Sequence, residues 1–342
     1  MAEGLDPTEQ ATSTIVGIDE AGYGPLLGPL VVSAAAFDVP VTLMRALKDR
    51  AAGPDLWGLL QASLTARHRK RDPRLAVSDS KKLHGKSDTP AGIALLERAA
   101  LTFLMQHGKA PVSLRAMLQL ACPHVVAMLG RYPWYAAEDI ALPVEVTEDD
   151  LGVQRSSVQR DLAAAGIRFR GAWVEVLPEG DYNDMVGRTR NKAVVLFALA
   201  TRLMQRIAIN VGPRPLRIWV DRQGGRIGYA RPLMTAFQDA ELEIVEESPE
   251  RSSYRLNHRP APWMIRFVQK GETHHMQIAL ASIFSKYVRE LLMICFNRYW
   301  ARQVPDLKPT AGYYEDGRRF LADAEQAIRR LGIDRSLLVR AM

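Results

Sequence analysis

Apolar positions along this chain follow two periods. Thr14-Ile15-Val16-Gly17-Ile18 is a β-branched run of strand length, and Leu30 to Phe37 is apolar again. The two read as buried strands joined by a turn of small residues and prolines (Ala21, Gly22, Gly24, Pro25, Gly28, Pro29). Alternation over 167–177 predicts a further strand, as do the runs at 216–220, 242–247, 254–256 and 263–268. Shorter strands are expected at 75–83 and 141–146. Helical spacing marks 43–50, 55–64, 89–107 (with Thr89 as N-cap and Pro90 at the first helical position), 114–129, 149–165, 191–210, 231–238 and 276–300. Residues 317–342 read as largely helical, broken at Gly332. Residues 178–184 and 305–314 read as polar loops. An opening hairpin followed by alternating strands and helices predicts an α/β fold, a mixed sheet flanked by helices.

Domain boundaries follow from the same pattern. Residues 1–13 read as a disordered tail. Residues 14–107 and 167–320 form the main domain, and 108–166 a largely helical insertion packed on it. Residues 321–342 are a C-terminal helical segment. The aromatics Tyr132, Trp134 and Tyr135 read as a small core within the insertion.

With 342 residues and 47% hydrophobic content, the chain is long and apolar enough for one large domain or two ordinary ones. A net charge of +7 favours a polyanionic partner, nucleic acid ahead of a membrane. Two cysteines, Cys122 and Cys295, give neither a disulfide framework nor a zinc cluster, which points to a reducing, cytoplasmic setting. No apolar run reads as a membrane span, and the first thirteen residues do not resemble a signal peptide.

The chemistry lies at strand ends. The first strand ends in Asp19-Glu20, the strand at 216–220 in Asp221, and the strand at 263–268 in Lys270-Gly271-Glu272. An acidic pair leaving a buried strand is costly to desolvate without a partner. Taken singly, Asp19-Glu20 reads as an ordinary acidic turn. A dinucleotide fingerprint is a poor fit, because Gly22-Tyr23-Gly24 leads into proline and a strand rather than a helix. If the three strands are neighbours, four carboxylates converge and require cations. Oxygen ligands suit Mg²⁺ or Mn²⁺, and a pair of such ions about 3.5–4 Å apart suits phosphodiester hydrolysis. The basic loop 66–74 leads into Ser78-Asp79-Ser80-Lys81-Lys82-Leu83, where Asp79 and Ser80 hold backbone and Lys81 and Lys82 reach phosphates. His274-His275 reads as a surface pair.

These segments resemble, in order, the motifs of the type 2 ribonucleases H. Gly17-Ile18-Asp19-Glu20-Ala21-Gly22-Tyr23-Gly24 is similar to that family's opening Asp-Glu strand and Gly-Arg-Gly turn, and Asp79 to Leu83 to its Asp-Ser-Lys-Lys-Leu segment. Trp219-Val220-Asp221, Lys270-Gly271-Glu272, the helix from Ala281 to Arg289 and Gly312-Tyr313 resemble its later motifs. The resemblance spans about 15–321, while 40–70 and 108–166 have no counterpart in the compact bacterial form. It implies an RNase H-like fold; the oligomeric state stays open, with a monomer favoured. It also implies metal-dependent cleavage of RNA in RNA–DNA hybrids, including incision on the 5′ side of ribonucleotides embedded in DNA. By matching position, Asp19, Glu20, Asp221 and Glu272 hold two Mg²⁺ or Mn²⁺ ions. The backbone of Gly22, Tyr23 and Gly24 meets the ribose 2′-hydroxyl. Lys81, Lys82, Ser282 and Lys286 lie near phosphates, and Tyr313 stacks on the sugar beside the cut. Three positions depart from the family: Tyr23 replaces its turn arginine, Glu272 its aspartate, and Thr310-Ala311 its basic pair. These departures bear on junction reading more than on metal binding. They leave open a hybrid-binding protein without turnover, or a nuclease of the same fold with a different substrate.

Overall fold

Strand β1 (Thr12–Ala21) and strand β2 (Leu30–Pro40) form an antiparallel hairpin in which Ile18 faces Ala34 and Asp19 faces Ser33. Their pleat sorts the side chains onto two faces. Ile15, Val31, Ala35 and Phe37 enter one core, and Val16, Ile18, Val32, Ala34 and Ala36 enter the other. These belong to a computed structural model that describes residues 12–45, 53–85, 90–257 and 261–341.

The remaining strands are β3 (Leu64–Thr65), β4 (Leu75–Ala76), β5 (Arg168–Leu177), β6 (Leu216–Asp221), β7 (Glu241–Glu247), β8 (Arg251–Asn257) and β9 (Trp263–Val268). Seven of them form one sheet in the order β5-β2-β1-β6-β9-β8-β7, and β3 pairs with β4 separately. The pairings β1–β6 and β6–β9 are parallel and the other pairings in the large sheet antiparallel, so the sheet is mixed.

A 28-residue helix, Met276–Gln303, crosses one face, and the helix Lys192–Val211 covers the other. The long helix approaches β1 so closely that a Cβ on Gly17 would overlap the backbone of Gln277. By length and mean hydropathy, Lys192–Val211 does meet the measure of a membrane span, contrary to expectation. Its apolar stripe, through Val195, Leu199, Leu203 and Ile207, is buried on the sheet.

Several expected elements differ. Residues 178–184 are not a loop: Glu179–Thr189 is helical, because Glu179 and Tyr182, one turn apart, are both buried. Residues 141–146 form no strand beyond a single bridge between Ser113 and Ala141. Their amides are engaged elsewhere: Val144, Glu145 and Val146 all donate to the buried Glu97 carboxylate, at 2.6–3.0 Å. The strand expected over 75–83 stops at Ala76. Ser80–Leu83 is a helical turn capped by Asp79, which accepts from the Lys81 amide at 2.9 Å. The helix expected over 55–64 is one turn, Leu56–Leu59, and that over 114–129 breaks at the non-helical Cys122, before Pro123, into Leu114–Ala121 and Pro123–Leu129. Thr12 and Ser13 belong to β1; the rest of the supposed tail, 1–11, lies outside the described residues, as do 46–50 and Thr89.

Residues 108–166 share the core beneath the long helix. Trp134 lies 5.8 Å from the Phe296 ring and 6.3 Å from Trp300, and Glu97 also accepts from the Tyr287 hydroxyl at 2.6 Å. Tyr132, Trp134 and Tyr135 are buried together.

Candidate active site

Parallel pairing brings the C-terminal ends of β1, β6 and β9 to one edge of the sheet, where such sheets place ligand sites. Asp19 and Glu20 end β1, Asp221 ends β6, and Glu272 lies in the helical turn Gly271–His274 just after β9. The four acids line one cleft of about 310 Å³. Asp221 is tied to the Glu272 turn by accepting the Gly271 amide at 2.7 Å. Asp19 accepts the Glu20 amide at 2.7 Å, and its carbonyl accepts the Ser285 hydroxyl at 2.9 Å.

The same cleft is lined by Gly22, Tyr23, Gly24, Lys81, Ser282, Lys286 and Tyr313, along with Asp79 and Ser80. Ser80 and Ser282 hydroxyls lie 3.0 Å apart, which fixes the Lys81 turn against the long helix. Lys286 is paired with Glu290 at 2.7 Å. Burial raises the Glu290 carboxyl, yet His84, Lys286 and Arg289 hold it at about 2. Tyr313 is half exposed at the rim. Its loop is held to the turn after β1 by the Gly312 carbonyl, which accepts the Leu26 and Leu27 amides at 2.7 and 3.1 Å. Gly312 has φ of +83° and its Cβ position is filled by Leu27 backbone, so only glycine fits there.

Two expectations are corrected. Lys82 does not line the cleft; it is exposed and 3.9 Å from Asp79. Adjacent residues of a helical turn point about 100° apart, so Lys81 and Lys82 cannot both face inward. His275 is not a surface residue: it is buried against Trp219 at 5.7 Å, where burial foremost lowers it to about 4. His274 is exposed.

Electrostatics set the cleft apart. Burial, then Glu20 and Asp221, raise the Asp19 carboxyl well above its usual range. Burial, then Asp221, push Glu20 to about 8, with Lys81 opposing. Asp221 rises to about 6, mainly by burial. Lys81 offsets only part of this rise, and the all-oxygen donor set of the four acids fits Mg²⁺ or Mn²⁺. Among the described residues, the trio whose ligand atoms all lie within 4.8 Å of one another is a different one: Cys122, His124 and Glu175. Sequence spacing hid it, because Glu175 sits on β5. That trio already has a cation, since Arg206 donates to Glu175 Oε1 at 2.7 Å and to the Val174 and Ala121 carbonyls.

A carboxyl raised by folding stays protonated where the unfolded chain has ionised. Stability therefore falls as pH rises from Glu20's unfolded value of 4.5 through about 8. With chelator present, Glu20→Gln is expected to be more stable than the wild type at pH 8, by on the order of 1–3 kcal/mol. The two converge at pH 4.5. Thermal unfolding across pH measures this, and equal stability at pH 8 contradicts it.

Sequence reasoning missed Arg340, which donates to the carbonyls of Gly22 and Tyr23. A lone arginine 318 positions from its acceptor leaves no sequence signal. It also assigned no role to Arg289, which is buried and donates to the Leu27 and Ala311 carbonyls at 3.3 and 3.0 Å.

No protein-family model and no curated protein matches this chain. Solved structures similar to it include RNase HII from Archaeoglobus fulgidus in complex with PCNA: 12% identity, TM-score 0.41, 96% of this chain and 93% of that one covered. Another is Bst-RNase HIII in complex with Mn²⁺: 14% identity, TM-score 0.40, 99% and 72% covered. A third is ribonuclease H2 from Pyrococcus horikoshii OT3: 13% identity, TM-score 0.40, 95% and 92% covered.

Proposed function

We propose that this protein is a metal-dependent endonuclease of the RNase H type that hydrolyses the RNA strand of RNA–DNA hybrids, including ribonucleotides embedded in DNA. The observation that carries the reading is the convergence of Asp19, Glu20, Asp221 and Glu272 in one cleft with Lys81, Lys286, Ser80, Ser282 and the turn Gly22-Tyr23-Gly24. The order of the motifs along the chain supports it as well.

In this reading the four carboxylates hold Mg²⁺ or Mn²⁺. Bound there, the ions supply the charge that activates a water and stabilises the departing oxygen. Lys81, which makes no ion pair within 4.0 Å among the described residues but acts on Glu20 and Asp221 in the cleft, is placed to meet a phosphate. Ser282 and Ser80 offer hydroxyl donors on the same wall. Lys286 is already neutralised by Glu290, so its part is to orient that wall rather than to supply free charge. The amides of Tyr23 and Gly24 have no acceptor among the described residues and serve the ribose 2′-hydroxyl, the group that separates RNA from DNA. Tyr313, half exposed at the rim, is placed to cover a sugar.

The test supplies Mg²⁺ or Mn²⁺ with a labelled RNA–DNA hybrid, a duplex holding one ribonucleotide, and an all-DNA duplex. Cleavage of the first two but not the third is expected. Salt-sensitive binding without cleavage under either metal replaces this reading with a hybrid-binding protein. Preference for the DNA duplex points to a nuclease with another substrate.

A further inference from the structure

Residues 335–341 form a strap that ends beneath the turn after β1. The short helix Arg335–Leu338 docks on Glu179–Thr189 through Asn183, which donates to the Ser336 and Val339 carbonyls at 2.6 and 2.7 Å and accepts the Ala341 amide at 2.6 Å. The strap continues with the Arg340 amide donating to the Leu26 carbonyl at 2.9 Å. The Arg340 side chain is only 3% exposed, and its guanidinium lies 4.0 Å from the centroid of Tyr182. One end of it donates to the Gly22 carbonyl and the other to Tyr23's, at 3.1 Å in the second case.

A buried guanidinium is costly, and among the described residues no carboxylate is paired with this one. Its donors go to two carbonyls of the turn, while Tyr182 and Glu179 also act on its charge. In a trans peptide the C=O and the following N–H point opposite ways. Holding the Gly22 and Tyr23 carbonyls toward Arg340 therefore turns the Tyr23 and Gly24 amides away from it. The cleft is lined by Gly22, Tyr23 and Gly24 but not by Arg340, so that opposite side is the cleft side.

We propose that Arg340 is a positioning residue for substrate choice: by gripping the turn's carbonyls from behind, it aims two amides at an acceptor oxygen on the ribose 2′ position. This rests on the ribonuclease reading for the ligand, while the grip itself does not. The chain has Tyr23 at the turn, so recognition there falls to backbone, and backbone direction is what Arg340 controls.

Two measurements on the wild type, Arg340→Ala and Arg340→Lys test it. Hydrogen exchange reads the turn directly: the Leu26 and Leu27 amides, which donate to the Gly312 carbonyl, should exchange about tenfold or more faster in Arg340→Ala, with the helix Met276–Gln303 unchanged. Cleavage is then compared on two duplexes whose single junction sugar carries 2′-hydroxyl or 2′-fluoro. The wild-type preference for hydroxyl should shrink about tenfold in Arg340→Ala and recover in part in Arg340→Lys, which keeps one donor. Unchanged exchange at the turn, exchange faster throughout the protein, or equal losses on both duplexes each overturn the proposal. If the wild type cuts neither duplex, the ribonuclease reading falls, and the exchange result still decides whether Arg340 holds the turn.

Discussion

Asp19→Asn is expected to fold and to lose cleavage of RNA–DNA hybrids by about 10³-fold or more. The change keeps the shape of the side chain and its acceptor for the Glu20 amide. What it removes is a negative charge among acids that already repel one another, as the raised Asp19, Glu20 and Asp221 carboxyls show. Stability without metal should thus hold or rise, whereas the gain in melting temperature on adding Mg²⁺ or Mn²⁺ should shrink. Reading both in one preparation separates a lost ligand from a damaged fold. Retained cleavage in Asp19→Asn would falsify the assignment of this carboxylate to the metal site.

Glu97→Ala is expected to destabilise the protein by about 3–5 kcal/mol, measured by urea unfolding. Glu97 is fully buried and satisfies four donors: three consecutive amides at 144–146 and the Tyr287 hydroxyl. Truncation strands all four where water cannot replace the carboxylate. Because Tyr287 lies on the helix that carries Ser282 and Lys286, activity should fall as well, in step with the folded fraction. A loss under about 1 kcal/mol would mean that water enters and heals the site.

The strands of the site were legible because β-branched runs announce themselves and an acid at the end of each is conspicuous: Asp19 after Ile18, Asp221 after Val220. Their adjacency was not legible from periodicity; it came from parallel pairing of β1, β6 and β9. Polar composition hid the helix Glu179–Thr189, whose buried face is made by distant partners such as Tyr135, which donates to Glu179 at 2.9 Å. The segment 141–146 looked like a strand because its side chains alternate, but a single carboxylate from another helix claimed its amides. Lys82 was read into the cleft because a lysine pair does not tell which member turns inward. Arg340 left no trace at all, since a contact across 318 positions has no local pattern.

Gly17 sets a mechanical condition on the cleft. With bare backbone seated on Gln277, the strand bearing Asp19 and Glu20 and the helix bearing Ser282 and Lys286 are locked as one rigid block. Anything entering the cleft from outside meets no give on that side. Any widening would have to break the ties of the opposite wall, the 3.0 Å contact between the Ser80 and Ser282 hydroxyls and the bonds from the Leu26 and Leu27 amides to the Gly312 carbonyl.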